Sequence, residues 1–563
     1  SSQLWLKPAV CSGSSSALEP CQPLRHRMVA GEKEPCLVSK VAETDGQWTH
    51  DAFGMGQFTA GWFDYILSWV IFLIMAPVLL AVWLPVSCIC CSSPVLLVQR
   101  FAGCILSGCL SRTYLGILLT RLCSVCDLIL NAIHYIRTRS QTFWRDARDA
   151  KQWAYNNETY GRNIIIWATL RVGSYKQARD IVLNPARKRT RAVDAYISGC
   201  ARHYPNLPIF FNTGSNMHTT FRQIFFANFT KTDFVLRALE DEGAGLAKMA
   251  APILQRWLAG SFQEGKSGEG SLYLVEPILP LTMFFLFEVE VESIPPKLLT
   301  AFSDMVAVGA LYFLQPPWMP YWILNGQVRA IALLKDFLLE HCNAARPESL
   351  KGRAFDWQSL AAQMPAFLAK DECRCPCSGT PAVDDPVDAF LDVIAVMVCV
   401  GGGVGSCNGF TSVIKKFADV PSGVANRRWP TAPVQWRPDA DEMVRLYRSD
   451  PLGFILETLR LGAPVATTHQ VLEEELTCPF LRKEVTFPKG TMVCADLNAC
   501  HMDPEEWGSD SLEFKPGRAA RDRYLMWNGP FGGDAPRQCP GEQVAAHCIK
   551  VSIDAFLDMH RPQ

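Results

Sequence analysis

Net charge is almost absent from this chain. Across 563 residues, 54 Lys+Arg against 55 Asp+Glu leave −1, which excludes a bulk electrostatic case for nucleic acid or another acidic partner. Charged residues are only 19% and hydrophobic ones reach 49%, too apolar a mixture for disorder. No segment recurs at a fixed period, which excludes solenoids and propellers. The 22 cysteines follow no regular framework, so a small disulfide scaffold is excluded as well. Most read as reduced thiols, and Cys88, Cys90, Cys91, Cys104, Cys109, Cys123 and Cys126 sit in an apolar stretch as small hydrophobes. Cys373, Cys375 and Cys377 form a C-x-C-x-C run in DECRCPCSG, but no second cluster at ligand spacing accompanies it. It reads as a surface insertion rather than a soft-metal site. The first 60 residues lack a clean basic-then-apolar signal peptide, and the chain opens at Ser1 rather than Met, as expected of a partial or processed chain.

Long uncharged runs are present. Tyr65–Gln99 spans 35 residues without a charge, where about 20 suffice to cross the hydrocarbon. Pro77, Pro85 and Pro94 interrupt the run, which predicts a span near Phe63–Pro85 and allows a second segment through Leu106–Leu130. Trp62, Trp69 and Trp83 are interfacial in type, and Arg137, Arg139, Arg145, Arg148 and Lys151 follow, placing the next domain on the cytosolic side. From about Tyr155 the texture becomes globular. Apolar periodicity predicts helices over Leu236–Leu258, Pro296–Leu314, Val328–His341, Pro386–Phe417 and Pro451–Leu461, outnumbering strand-like runs. Breaker clusters at Gly265–Gly270, Cys375–Pro386 and Val420–Asp439 read as loops within one domain.

Three elements near the C-terminus carry chemistry. Glu457 and Arg460 stand three apart on a predicted helix, where carboxylate and guanidinium share a face. Next, a strand and Pro-Gly turn lead to His501-x-Asp503-Pro504-x-x-Trp507 and then Phe514-x-Pro516-x-Arg518. Last, WNGPFGGDAPRQCPGE presents Cys539 on a Gly/Pro-rich loop ahead of a helix, with Arg537 two residues before it. A cysteine on such a loop has its thiolate stabilised by backbone N–H groups and the helix N-terminus, which suits an anionic axial ligand for iron. Arg537 beside it suits a propionate.

In this order the three elements resemble the cytochrome P450 superfamily, through Glu457-Thr-Leu-Arg460, Phe514-Lys-Pro-Gly-Arg518 and Arg537-Gln-Cys539-Pro-Gly541. The resemblance implies a charge triad of Glu457, Arg460 and Arg518 behind a haem. The loop departs from the usual pattern, with Ala535 four before the cysteine and Gly532 seven before it, where the superfamily has glycine and an aromatic. Trp527, Asn528, Gly529, Pro530, Gln538, Cys539 and Gly541 are instead similar to the loop of allene oxide synthases and hydroperoxide lyases. SNMHTTFRQIFF resembles a segment of the same group, with His218 and Arg222 four apart on one helical face toward the haem edge.

By the same resemblance, the oxygen-activating helix falls on VMVCVGGGVGSCNGFTSVIKKF. Monooxygenases usually carry an acid–Thr pair there, yet Gly401–Ser406 has neither. Each helical glycine costs about 1 kcal/mol relative to Ala, so this cluster points to a distorted helix pressed close to a flat cofactor or a fatty chain. Ser406 and Asn408 are the polar candidates on it. A proton relay is dispensable when the substrate already contains an O–O bond.

The expected protein is therefore a mainly α enzyme with small β-sheets, of cytochrome P450-like fold, preceded by an N-terminal transmembrane helix. Residues 1–60 are unassigned, 61–135 form an anchor of one or two segments, 136–154 a basic linker and 155–563 the catalytic domain. The expected cofactor is haem b with Cys539 as axial ligand, and His218, Arg222, His469 and Arg537 around its propionates. The resemblance implies rearrangement or cleavage of polyunsaturated fatty-acid hydroperoxides at a membrane, endoplasmic reticulum or plastid, with no nucleic-acid partner. Two alternatives stand beside it. One is a P450-reductase-dependent monooxygenase of lipids or sterols, with Ser406 or water replacing the threonine; the other is a degenerate haem-binding membrane protein.

Overall fold

Aspartate–proline pairs start the helices around which the fold is arranged. Asp385 accepts from the Val387 amide at 2.9 Å with Pro386 in the first turn, and Asp450 accepts from Gly453 N at 2.9 Å with Pro451 next. In each, the carboxylate satisfies an amide that the first turn leaves open, and the proline has no amide to satisfy. The computed structural model describes residues 94–126, 163–184, 216–259, 276–308, 325–364, 385–419 and 435–560 with short gaps, and a few positions between 70 and 81. All of them lie in the unit Leu37–Gln563.

Within these residues helices dominate. In chain order they are α1 (Pro94–Ser107), α2 (Tyr175–Leu183), α3 (Asn216–Phe225), α4 (Asp233–Leu258), α5 (Ile278–Phe287), α6 (Pro296–Val308), α7 (Asn325–His341), α8 (Trp357–Ala362), α9 (Pro386–Val396), α10 (Gly405–Ile414), α11 (Ala440–Ser449), α12 (Pro451–Arg460), α13 (Leu497–His501), α14 (Pro504–Trp507) and α15 (Glu542–His560). A mixed sheet has the order β1 (Asn163–Ile166), β2 (Thr169–Val172), β6 (Met492–Asp496), β3 (Thr467–Val471), with β2 and β6 parallel. A hairpin pairs β4 (Leu476–Phe480) with β5 (Lys483–Phe487). The mainly helical architecture with small sheets is as expected.

The final helix, α15, packs against α4, α5, α10 and α12, so the centre of the core is built from elements far apart in sequence. The five helices expected from periodicity are all present, with one correction. α4 is two helices joined across a break at Glu240–Gly243, where Asp241, Glu242 and Gly243 have positive φ. Gly243 (φ 91°) lies against the His547 ring, whose Cδ2 stands 2.7 Å from where a Cβ would be, so close approach and backbone conformation both call for glycine there.

Residues before 155 also contribute to the core. Val98, Ala102, Ile105 and Leu106 of α1, with Leu119, Leu122, Cys123 and Cys126 beyond it, are buried in the same core as β1 and β2. Gln99 binds both backbone groups of Ile165, each at 2.9 Å. The apolar character of 94–126 thus covers the sheet, and the described part of the second expected membrane segment is protein interior. The first expected span, Phe63–Pro85, lies largely outside the described residues, as does the cysteine run at 373–377. Among the described residues, Pro386–Ile414 alone is long and apolar enough to cross a membrane, and 76% of its apolar window is buried inside the protein. It is a core helix.

Its middle is distorted: Met397–Val404 is π-helical. A Cβ on Gly403 would come within 2.7 Å of Phe302 Cζ, and one on Gly409 within 2.8 Å of Ile549 Cδ1. At Gly401 and Gly405 a Cβ would meet nothing within 4 Å. The helix thus packs closely at Gly403 and Gly409 and is bare at Gly401 and Gly405. Gly403→Ala is expected to lower stability by about 1–3 kcal/mol through overpacking, read as a fall in Tm, whereas Gly405→Ala leaves Tm unchanged or raises it.

Candidate functional site

The site is built outward from Glu457. Its carboxylate is fully buried and accepts from Arg460 Nε at 2.8 Å and Nη2 at 2.9 Å. Arg518 Nε and the Lys515 amide each reach Oε1 at 3.0 Å. Arg460 uses every donor it has: beyond the two to Glu457, Nη1 binds the carbonyls of His501 and Ser511, and Nη2 binds that of Glu513. Arg518 continues outward to Asp510, Nη1 to Oδ1 at 3.0 Å. The expected triad is therefore formed, and its partners are mostly backbone carbonyls of the segment 501–513. Removing one side of a buried, fully bonded pair leaves an uncompensated charge. Glu457→Gln is expected to cost about 3–5 kcal/mol, seen as loss of soluble folded protein or a large drop in denaturation midpoint.

The segment past Arg518 leads into the cysteine loop. Asn528 adopts φ 58° and Gly532 φ 77°, which turn the chain back on itself. The Cys539 amide then donates to the Trp527 carbonyl at 2.7 Å. Gln538 fills the loop from inside: its Oε1 accepts from the Ala535 amide at 2.9 Å, and Nε2 donates to the Pro530 carbonyl at 2.6 Å and to Glu542. Gly529 is required beside it, since a Cβ would lie 2.8 Å from Gln538 Oε1. Phe531, one place off the superfamily's aromatic position, stacks obliquely on Trp527 at 5.3 Å.

Cys539 is half-buried. The Gly541 amide favours its thiolate, as expected for a loop before a helix, and so does Arg222, but burial outweighs both and pushes the thiol up to about 11. The amide contribution is as expected, and a bound cation would add to it in making the thiolate dominant at neutral pH. Glu542, three residues on, is likewise buried, and its carboxyl rises from 4.5 to about 7, chiefly through desolvation, against the Gly532 amide and the Gln538 side chain.

A raised carboxyl pKa favours the folded state when protonated. That contribution is complete below the unfolded value of 4.5 and is lost as pH climbs through about 7. At roughly 1.4 kcal/mol per unit it amounts to roughly 3 kcal/mol at most. Glu542→Gln is expected to flatten this part of the stability–pH curve, measurable by denaturant titration at several pH values.

The other expected site residues fall as follows. Arg222 lies on α3, half-buried, its guanidinium 4.8 Å from the Phe226 ring centre, and it acts electrostatically on both Cys539 and Glu542. His218 lies one turn earlier on α3 and His469 lies in β3 opposite Cys494; the side chains of both lie outside the described set, as does Arg537 altogether. Ser406 is buried on α10 and Asn408 half-buried, its carbonyl accepting from Ser412 Oγ at 2.8 Å. The structure thus brings Cys539 and Arg222 together and adds Glu542 and Gln538. Gln538 was visible as part of the loop pattern and His501 as the start of the His-x-Asp-Pro-x-x-Trp motif; Glu542 carries no distinctive spacing of its own.

Whether a flat cofactor fits can be tested on the glycines. Cβ atoms on Gly401 and Gly405 of the core helix, and on Gly541 beside the cysteine, would all meet empty space within 4 Å. Gly401 is solvent-accessible although the helix around it is core. The core helix and α15, which begins at Glu542, touch where Gly409 meets Ile549. Bare backbone on two touching elements, with a thiol at the start of one and a guanidinium near it, suits a large planar anion held by sulfur.

Comparisons with known proteins agree. Residues 453–561 match the family model of cytochrome P450. Cytochrome P450 734A5 of Oryza sativa subsp. japonica is 36% identical over 113 residues, 19% of this chain and 20% of that protein. Cytochrome P450 4A6 of Oryctolagus cuniculus is 34% identical over 107 residues, 18% and 20%. Cytochrome P450 monooxygenase iccC of Talaromyces variabilis is 31% identical over 142 residues, 22% and 28%. The chain thus matches 20% to 28% of the length of these curated relatives. Among solved structures, cytochrome P450 MoxA from Nonomuraea recticatena aligns with 72% of this chain and 87% of its own, at 14% identity and a TM-score of 0.46. The matched segment 453–561, which holds the charge triad and the cysteine loop, is of the cytochrome P450 superfamily, whose haem iron is held by a cysteine thiolate.

Proposed function

We propose that this protein rearranges or cleaves polyunsaturated fatty-acid hydroperoxides as a haem-thiolate enzyme, with Cys539 as the axial ligand. The observation that carries the reading is the bare stretch of the core helix. Gly401 and Gly405 present no side chain to the open space, and Gly401–Ser406 contains neither an acid nor a threonine to pass protons to dioxygen. A substrate that brings its own O–O bond has no need of that relay. When bound, the haem supplies an iron centre that breaks such a bond without dioxygen or a reductase. The chain supplies the rest. Cys539 holds the metal, Arg222 and the expected His218, His469 and Arg537 meet the propionates, and the apolar surroundings keep water from the reacting chain. Asn408, half-buried further along α10, is the polar side chain placed to steer the product.

Membrane attachment supports a lipid substrate. The described positions of the expected first span are helical, and Val70, Leu73 and Ile74 are 49%, 64% and 62% exposed, apolar surface that a bilayer would cover. On this reading the anchor precedes the catalytic domain and the basic stretch 136–154 lies on the cytosolic side of the endoplasmic reticulum, or its equivalent in a plastid. A second reading, a reductase-dependent monooxygenase of lipids or sterols, is favoured by two observations. Ser406 is a buried hydroxyl at the end of the glycine run, and the relative from Talaromyces variabilis is named a monooxygenase.

The deciding experiment mixes detergent-solubilised protein anaerobically with linoleate or linolenate hydroperoxide, without NADPH, and follows the conjugated-diene absorbance. Rapid loss that disappears in Cys539→Ala is the expected result. An intact diene together with a thiolate-type ferrous–carbonyl band overturns the hydroperoxide reading in favour of the monooxygenase. Turnover of neither substrate class, with reductase and NADPH supplied, identifies a haem-binding protein without this catalysis.

A further inference from the structure

We infer that His501 is a positioning residue for the cysteine loop, its ring accepting the Leu525 amide and so coupling the Glu457–Arg460 pair to the strand of chain that presents Cys539. This rests on the haem-thiolate reading above. His501 ends α13 and is 0% exposed. Its carbonyl is gripped by Arg460 Nη1, while its Nε2 accepts the Leu525 N–H at 2.9 Å. Leu525 is itself 0% exposed, so that amide has no water to turn to and is costly to leave unpaired. From Leu525 the link runs on through two further backbone bonds. Its carbonyl accepts from Asn528 N at 3.0 Å, and one residue inside that turn the Trp527 carbonyl accepts the Cys539 amide at 2.7 Å.

The residue type follows from the bond. An acceptor without a donor on the same atom is needed, inside a site that already holds the Arg460 cation. Burial and Arg460 together depress His501 to about 3, with the Leu497 carbonyl pulling weakly the other way. The ring is therefore neutral across the physiological range and carries its proton on Nδ1, leaving the Nε2 lone pair for Leu525. A carboxylate would also accept, but it would add a second buried charge beside Glu457. The Trp507 ring stands edge-on to His501 at 6.0 Å and lies 5.0 Å from the Arg460 guanidinium, holding both groups in place.

The test compares His501→Leu, which removes the acceptor at similar volume, with His501→Gln, whose side-chain carbonyl can reach the same amide. Two quantities are read on the haem-loaded proteins. One is the ratio of thiolate-type to thiol-type ferrous–carbonyl bands; the other is amide hydrogen exchange of the peptide spanning 525–528. His501→Leu is expected to bind haem yet shift several-fold toward the thiol-type band and exchange at least tenfold faster in that peptide, and His501→Gln to restore both. Unchanged ratio and exchange in His501→Leu overturn the inference, as does His501→Gln failing as fully as His501→Leu. Should His501→Leu not accumulate folded, His501→Asn replaces it, one methylene too short to reach. Equal behaviour of the Asn and Gln variants then overturns the inference. A wild-type protein without a thiolate-type band counts against the haem-thiolate reading itself.

Discussion

The buried carboxylate of Glu457 is the constraint on which the C-terminal half depends. An isolated charge in that position is untenable, so the chain surrounds it with Arg460, Arg518 and a backbone amide. Those guanidiniums in turn need acceptors, and the carbonyls that serve them belong to residues 501, 511 and 513. One buried charge thereby dictates the path of an otherwise irregular segment. Regular secondary structure could not do this, because a meandering chain has few internal hydrogen bonds with which to fix itself. The result is a rigid base of polar bonds directly upstream of the loop that ends in Cys539.

Burial works in the same sense at the cysteine. In water a thiolate on a helix N-terminus would form readily. Here desolvation prevails over the Gly541 amide and Arg222, and Gln538 and Glu542 bond to each other inside the loop. A bound metal, with its larger positive charge, would displace the thiol proton. The environment is selective for coordination over free thiolate chemistry, which is what a permanently bound cofactor requires.

How much of this was legible in the residues varies with the kind of interaction. The helices Pro296–Val308, Asn325–His341 and Pro451–Arg460 were visible because amphipathic periodicity is local. Glu457, Arg460 and Arg518 were visible because the first two sit at i, i+3 and the third in a short Phe-x-Pro-x-Arg signature. The break in α4 was not, since Gly243 looks like any tolerated helical glycine until His547, some 300 residues away, is packed against it. Nor was the role of 94–126 as core, because an apolar segment that covers a sheet and one that enters a bilayer share one composition. Gln99 settles it: its amide pairs with both backbone groups of Ile165, a bond that only the tertiary fold reveals. Glu542 escaped for a similar reason, as its raised carboxyl comes from burial in the folded chain.

The bare helix at Gly401 and Gly405 shows how two demands on one element can be met by one residue type. Close packing against Phe302 and Ile549 requires glycine at 403 and 409, while at 401 and 405 a Cβ would face open space and the glycines leave the backbone bare. The same element is π-helical over Met397–Val404, a geometry that recurs at functional sites. A helix committed in this way to steric accommodation has few positions left for acids or hydroxyls. The chemistry proposed for it is correspondingly one in which the substrate, rather than the helix, supplies the reactive bond.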